Sequence, residues 1–205
     1  MSISFIGIIG GGQLGSMLSL AAKKLNIKSV IYSDDPNAPA QNFCDSFIHG
    51  KYDDESKINE FISKIDIVTF EFENIPYQIL SRINKIKKVL PNPKINKIIQ
   101  NRLFEKDFLN KCNIRTTLYS SIKNEKDLRS SSDLIPGFLK TCTLGYDGKG
   151  QIKINNFKEL NDINPDFKLE YILEKKINLK KEISVIVSRF GHQKYEIYEP
   201  IENYH

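Results

Sequence analysis

The 205-residue sequence predicts an α/β fold: a doubly wound parallel sheet over residues 1–93, followed by a mixed α+β unit. Three observations carry that prediction. Short apolar runs alternate with helical apolar spacing as far as residue 90, the pattern of βαβ units. A Pro-Asn-Pro segment at 91–93 interrupts regular structure and marks the best internal boundary. Beyond it, strand-like stretches outnumber helical ones.

In chain order, residues 3–9 form a continuous apolar run suited to a strand buried on both faces. After the glycines, Leu14, Met17, Leu18, Ala21 and Leu25 recur at helical spacing. Residues 28–32 and 46–49 read as the second and third strands. Asp54 then caps a helix with Ile58, Phe61, Ile62 and Ile65 on one face. Residues 66–72 make another strand, and Pro76 opens a helix at a position where a missing amide costs nothing. Residues 88–90 close the first unit. Ile95, Ile98, Ile99, Leu103, Phe104 and Phe108 then suggest one amphipathic helix. Strand-like stretches follow at 116–119, 137–141, 151–154, 171–174 and 182–189.

Composition narrows the function classes. Apolar residues make up 40% and charged residues 27%, a globular balance. No apolar run approaches a membrane span, and the start lacks the charged and apolar regions of a signal peptide, so a cytoplasmic protein without membrane partners is expected. Cys44, Cys112 and Cys142 have neither metal-ligand nor redox spacing, which predicts reduced, mostly packed thiols. The net charge of +5 comes from 30 basic and 25 acidic residues spread through the chain, so no nucleic-acid stripe is formed.

Two glycine-rich segments carry the chemistry. The first, residues 10–15 (GGGQLG), satisfies G-x-G-x-x-G between a strand and a helix, where free amides suit a phosphate. Asp34 and Asp35 follow the second strand, where a dinucleotide fold places its ribose-binding acid. Alone, this points to an NAD-dependent oxidoreductase, to a plain phosphate site, or to a turn that needs glycine only for close packing. The second segment, Gly145-Tyr146-Asp147-Gly148-Lys149-Gly150-Gln151, follows a strand carrying Lys140 near its end. A strand-ending lysine beside a mobile glycine loop makes a clamp for triphosphate oxygens, although no Walker pattern is present.

That combination is similar to the ATP-grasp fold. Within it, residues 7–18 (GIIGGGQLGSML), 34–40 (DDPNAPA), 70–74 (FEFEN), 145–151 (GYDGKGQ) and 202–205 (ENYH) resemble, in order, the carboxyaminoimidazole ribonucleotide synthases. The resemblance implies a pre-ATP-grasp domain at 1–93, a first ATP-grasp subdomain with its flap at 94–173, and the start of a second, incomplete one at 174–205. It implies ATP-dependent carboxylation of 5-aminoimidazole ribonucleotide with bicarbonate in purine biosynthesis, with ATP and Mg2+ as cofactors, and a homodimer.

Carried over by position, Arg102, Lys140, Gly145, Tyr146, Asp147, Gly148, Lys149, Gly150 and Gln151 would surround ATP. The backbone of Glu174, Lys175, Lys176 and Ile177 would read adenine, Glu182 would hold the ribose, and His205 would lie near the phosphates. Gly12, Gln13 and Leu14 would take the substrate 5′-phosphate, with Glu73 and Asn74 beside it; Lys140, Tyr146, Asp147 and Lys149 would serve catalysis and substrate. Glu71 alternates with Glu73 and would point the same way. Read without the resemblance, Arg102 is a solvated helix charge, and Glu174 and Glu182 are a strand-edge rim. Ser16 stands where such relatives commonly have arginine, and residues 142–144 replace a basic, glycine-containing stretch. The family's metal ligands lie beyond this end, which predicts a truncated chain with no metal site, or a non-catalytic nucleotide-binding fragment.

Overall fold

The computed structural model describes residues 3–145 and 150–204. Isoleucine and valine fill the first parallel sheet, whose strands are β1 (Phe5–Ile9), β2 (Lys28–Ser33), β3 (Ser46–His49) and β4 (Ile67–Phe70), in the order β3-β2-β1-β4. Successive residues of β1 serve opposite faces. Ile9 packs with Val30, Tyr32, Phe61, Val68 and Leu80, whereas Ile8 packs with Ile31 and Ala40. Helix α1 (Gln13–Lys24) lies with Ala40 on one side and α2 (Glu55–Ser63) contributes Phe61 on the other, so the sheet is wound on both faces as expected.

Helix α2 forms as its sequence predicts. The Asp54 side chain accepts from Lys57 N at 3.0 Å, and Ile58, Phe61, Ile62 and Ile65 are buried. Helix α1 departs from expectation. Gly15, Ser16, Ser19 and Ala22 face inward, while Leu14, Met17, Leu18 and Leu25 are exposed, Leu25 by 70%. The helix approaches its own turn too closely for larger side chains: a Cβ on Gly15 would stand 2.8 Å from Gly10 O. An apolar stripe shows where a helix is greasy, and the approach distance decides which face is covered.

Strand β4 ends at Phe70, earlier than predicted, and residues 88–90 contribute only an isolated parallel bridge between Val68 and Val89. Helix α3 (Tyr77–Ile83) starts after Pro76 as expected. The single long helix expected after residue 93 is two: α4 (Pro93–Ile99) and α5 (Arg102–Lys111). Asn101 between them is extended, and its side chain accepts from Leu103 N and Phe104 N, which starts a new helix instead of continuing the old one. Ile95, Ile99, Phe104 and Phe108, taken as a buried stripe, are exposed.

The second sheet is antiparallel, with β5 (Tyr119–Ile122), β6 (Gly137–Thr141), β7 (Gln151–Ile154) and β8 (Tyr171–Lys175) in the order β5-β8-β6-β7. Two short helices, α6 (Glu125–Ser130) and α7 (Phe157–Asp162), cover its core of Ile122, Leu128, Leu139, Ile154, Leu160 and Leu173. The stretch predicted at 116–119 becomes a strand only at Tyr119. The one predicted at 182–189 divides into β9 (Glu182–Ser184) and β10 (Val187–Gly191), which pair with β12 (Ile201–Asn203) and β11 (Lys194–Ile197). No residue from 176 to 204 is buried.

Candidate functional site

The first glycine turn is already occupied by an anion, and that anion is the chain's own. Gly12 N donates to Glu71 Oε1 at 2.6 Å, and Gly15 N donates to Glu71 Oε2. These amides are orphaned at the start of α1, and a carboxylate there also complements the helix dipole. The glycines make room for it: a Cβ on Gly12 would stand 2.9 Å from Glu71 Oε1, and one on Gly10, whose φ is +104°, would strike Glu71 Cγ. In this structure the turn thus holds an internal carboxylate at Gly12 N and Gly15 N, the place where a dinucleotide fold seats its pyrophosphate. Ser16 is buried and donates its hydroxyl to Gly12 O at 3.1 Å, bracing the same turn. Asp35 accepts from Asn37 N at 2.8 Å, a local loop contact.

Glu71 and Glu73 do not share a direction, because regular strand geometry stops at Phe70. Glu71 lines a cavity with Gly11, Gly12, Ser33 and Asp34. Glu73 and Asn74 line another, of about 360 Å³, with Gln100, Arg102, Glu105, Cys142 and Gly145. Gln100 Nε2 donates to Glu73 O at 2.6 Å and to Ile75 O, and Asn96 Nδ2 donates to Ile75 O at 2.8 Å. The segment after β4 is thus pinned from both ends, by α1 through Glu71 and by α4 and its C-terminal residue through Asn96 and Gln100.

Arg102 is not a solvated helix charge. Its guanidinium donates to Thr141 O at 2.6 Å and to Gly145 O, and its backbone N donates to Cys142 O at 2.9 Å. On the far side of the glycine loop, Thr141 N donates to Gly150 O at 2.8 Å, and Gln151 pairs with Lys140 in the sheet. Both roots of the loop are therefore anchored. Tyr146, Asp147, Gly148, Lys149 and His205 lie outside the described residues.

Cys142 lines the larger cavity, and burial above all, with Glu170 adding to it, pushes its thiol up to about 11. At pH 8 only about one such thiol in a thousand is ionised. Cys112 is exposed, which departs from the packed state expected of it, and Cys44 lies between the two. A thiol reagent at pH 8 should therefore label Cys112 promptly and Cys142 only under denaturant; equal rates in the native protein would contradict this placement.

Lys140 on β6 and Glu174 on β8 are diagonal neighbours on one sheet face, since Phe138 is the direct partner of Glu174. Lys140 Nζ lies 2.9 Å from Glu174 Oε2, and Lys106 Nζ, from α5, lies 3.4 Å from Oε1. Glu174 is buried, not part of an exposed rim. Just beyond it, Lys175 N donates to Leu118 O and Lys176 N to Pro136 O, both at 2.8 Å, and Lys175 Nζ turns away to Asp133 O. Ile177 is exposed. Glu182 is exposed and accepts from Asn203 Nδ2 at 3.2 Å, binding β9 to β12. Sequence reasoning missed Lys106, Gln100 and Glu105. Lys106 was findable, four residues beyond Arg102 on the same helical face; nothing local marks Gln100.

A Rossmann-like parallel sheet followed by an antiparallel sheet with a lysine-ended strand and glycine loop defines an ATP-grasp chain headed by a pre-ATP-grasp domain. Residues 3–100 match the ribonucleotide synthetase preATP-grasp domain and residues 107–205 the ATP-grasp domain. N5-carboxyaminoimidazole ribonucleotide synthase of Staphylococcus aureus is 36% identical over 206 residues, 98% of this chain and 54% of that protein. The Brucella melitensis protein of the same name is 35% identical over 207 residues, 98% of this chain and 57% of that one. The crystal structure of the S. aureus enzyme complexed with ADP superposes with a TM-score of 0.91 at 35% identity, covering 98% of this chain and 55% of that chain. This chain belongs to the N5-carboxyaminoimidazole ribonucleotide synthase family. It spans about half the length of the curated relatives it matches.

Proposed function

We propose that this protein uses ATP to join bicarbonate to the exocyclic amine of 5-aminoimidazole ribonucleotide, giving 5-(carboxyamino)imidazole ribonucleotide, ADP and phosphate. The observation that carries the reading is the cavity in which Glu73 and Asn74, from the parallel-sheet unit, face Arg102 and Gly145 at the root of the glycine loop. Phosphoryl transfer to bicarbonate makes carboxyphosphate, and the amine then attacks its carbon as phosphate leaves. Cations must surround the transferring phosphoryl group, and water must be kept from the intermediate. Lys140 supplies one cation, and the glycine loop, anchored at both roots, is the closing element.

In this reading Arg102, Lys140 and residues 145–151 contact ATP, the backbone at 174–177 reads adenine, and Glu182 and His205 complete the nucleotide site. Glu73, Asn74, Tyr146, Asp147 and Lys149 face the ribonucleotide. Gly12, Gln13 and Leu14 hold the ribonucleotide 5′-phosphate at the start of α1, where the Glu71 carboxylate that accepts from Gly12 N and Gly15 N would have to yield. Domain limits at 1–93, 94–173 and 174–205, a cytoplasmic location and a homodimer belong to the same proposal.

ATP would enter as its magnesium complex. Among the described residues no cluster of three or more His, Cys, Asp or Glu side chains is placed to hold a metal ion. Magnesium needs only one or two protein carboxylates beside the nucleotide phosphates, and none of the described ones is assigned to it.

The test is ADP release by the protein as its gene encodes it, given magnesium-ATP, bicarbonate and 5-aminoimidazole ribonucleotide. Release that requires both co-substrates is expected. Release indifferent to the ribonucleotide would sink the assignment.

A further inference from the structure

Lys106 has no part in the function proposed above, yet it is one of two cations on a single buried carboxylate. Glu174 is 8% exposed, and the side chains of Lys106 and Lys140 are 17% and 25% exposed. Lys140 takes the shorter contact, 2.9 Å against 3.4 Å. Phe138 and Tyr119 wall the cluster, with Lys140 Nζ 5.8 Å from the Phe138 ring and Lys106 Nζ 5.8 Å from the Tyr119 ring. Tyr119 is itself fixed, its hydroxyl donating to Asp107 Oδ1 at 2.6 Å, next to Lys106 on α5.

One carboxylate does not need two lysines for neutrality. Burying a second cation is costly unless it does something. A nucleotide phosphate that recruits Lys140 must draw it off Glu174. With no other cation nearby, that movement would leave an unpaired carboxylate in a nearly dry site, and the cost would be subtracted from nucleotide affinity. With Lys106 in place, Glu174 keeps a partner while Lys140 turns.

We infer that Lys106 is a positioning residue that holds Glu174 when Lys140 is handed to the phosphates of a bound nucleoside di- or triphosphate. The inference rests on the proposed role of Lys140 as a phosphate contact. Lys106 itself touches no phosphate; it sets how readily Lys140 is released.

The experiment is titration of the gene-encoded protein with ADP by calorimetry, across a small set of variants. Lys106→Met should weaken ADP binding by about 10- to 100-fold, because Lys140 is now held by Glu174 alone. Lys106→Arg should restore affinity, since a second cation returns. The deciding arm is Glu174→Gln: in that background Lys106→Met should leave ADP affinity unchanged, because no carboxylate remains to be stranded. A merely structural lysine would give the same loss in both backgrounds, and that result overturns the inference. If Lys106→Met fails to fold, comparing Lys106→Gln with and without Glu174→Gln makes the same test. Lys140→Met separates the two readings. Weaker ADP binding in Lys140→Met together with unchanged binding in Lys106→Met refutes the handover alone. Unchanged binding in Lys140→Met refutes the phosphate role of Lys140 and the handover with it.

Discussion

Replacing Glu71 with glutamine should destabilise the protein by about 2–3 kcal/mol in denaturant titration, a large effect for one isosteric change. Two backbone donors, Gly12 N and Gly15 N, give up a charged acceptor. Hydrogen bonds to charged groups are worth roughly 1.5–3 kcal/mol, and the lost complement to the α1 dipole adds about 0.5. Glutamine keeps one oxygen and turns its amide toward a second donor, so one bond is replaced by a clash of like partners. Gly10→Ala should be at least as severe. Its φ of +104° is strained for any side chain, and the new Cβ would strike Glu71. The two sites touch, so their costs should not add: with Glu71→Ala in place, Gly10→Ala should lose its steric part and keep only the backbone part. Additive costs, or a Glu71→Gln change within about 0.5 kcal/mol of wild type, would show that the glycine turn is not built around this carboxylate.

Arg102→Met should weaken ligand binding and loosen the glycine loop together. One guanidinium spans Thr141 O and Gly145 O, so its removal frees the first root of the glycine loop and takes a cation from the cavity shared with Glu73. ADP affinity should fall by about 10- to 100-fold, the range for losing a buried charged partner. Limited proteolysis should cut between residues 141 and 150 sooner than in wild type. Arg102→Lys should not rescue either property, because one ammonium cannot reach two carbonyls at once as a planar fork does. Wild-type affinity in Arg102→Lys would show that only the charge matters and that the clamp does not.

The resemblance drawn from GGGQLG, FEFEN and GYDGKGQ led to the right family, and the first glycine turn holds an acceptor that its own motif does not name. A G-x-G-x-x-G turn offers amides to an anion, and that much was legible. The identity of the anion was not, because Glu71 is 59 residues from Gly12 and meets it only when β4 is laid beside β1. The same holds for Glu73, which looked like a strand-mate of Glu71 until the strand ended at Phe70.

What the sequence determined by itself was local. Apolar spacing and β-rich runs placed the strands at 46–49, 137–141 and 151–154 with the bounds observed, and the Asp54 cap started its helix where expected. Such features depend on neighbours a few residues away, which one chain displays. The tertiary structure alone decided which face of α1 is covered and that Lys106, Lys140 and Glu174 share a buried cluster. Each of these is settled by distance of approach and burial between elements far apart in sequence, and no periodicity encodes those quantities.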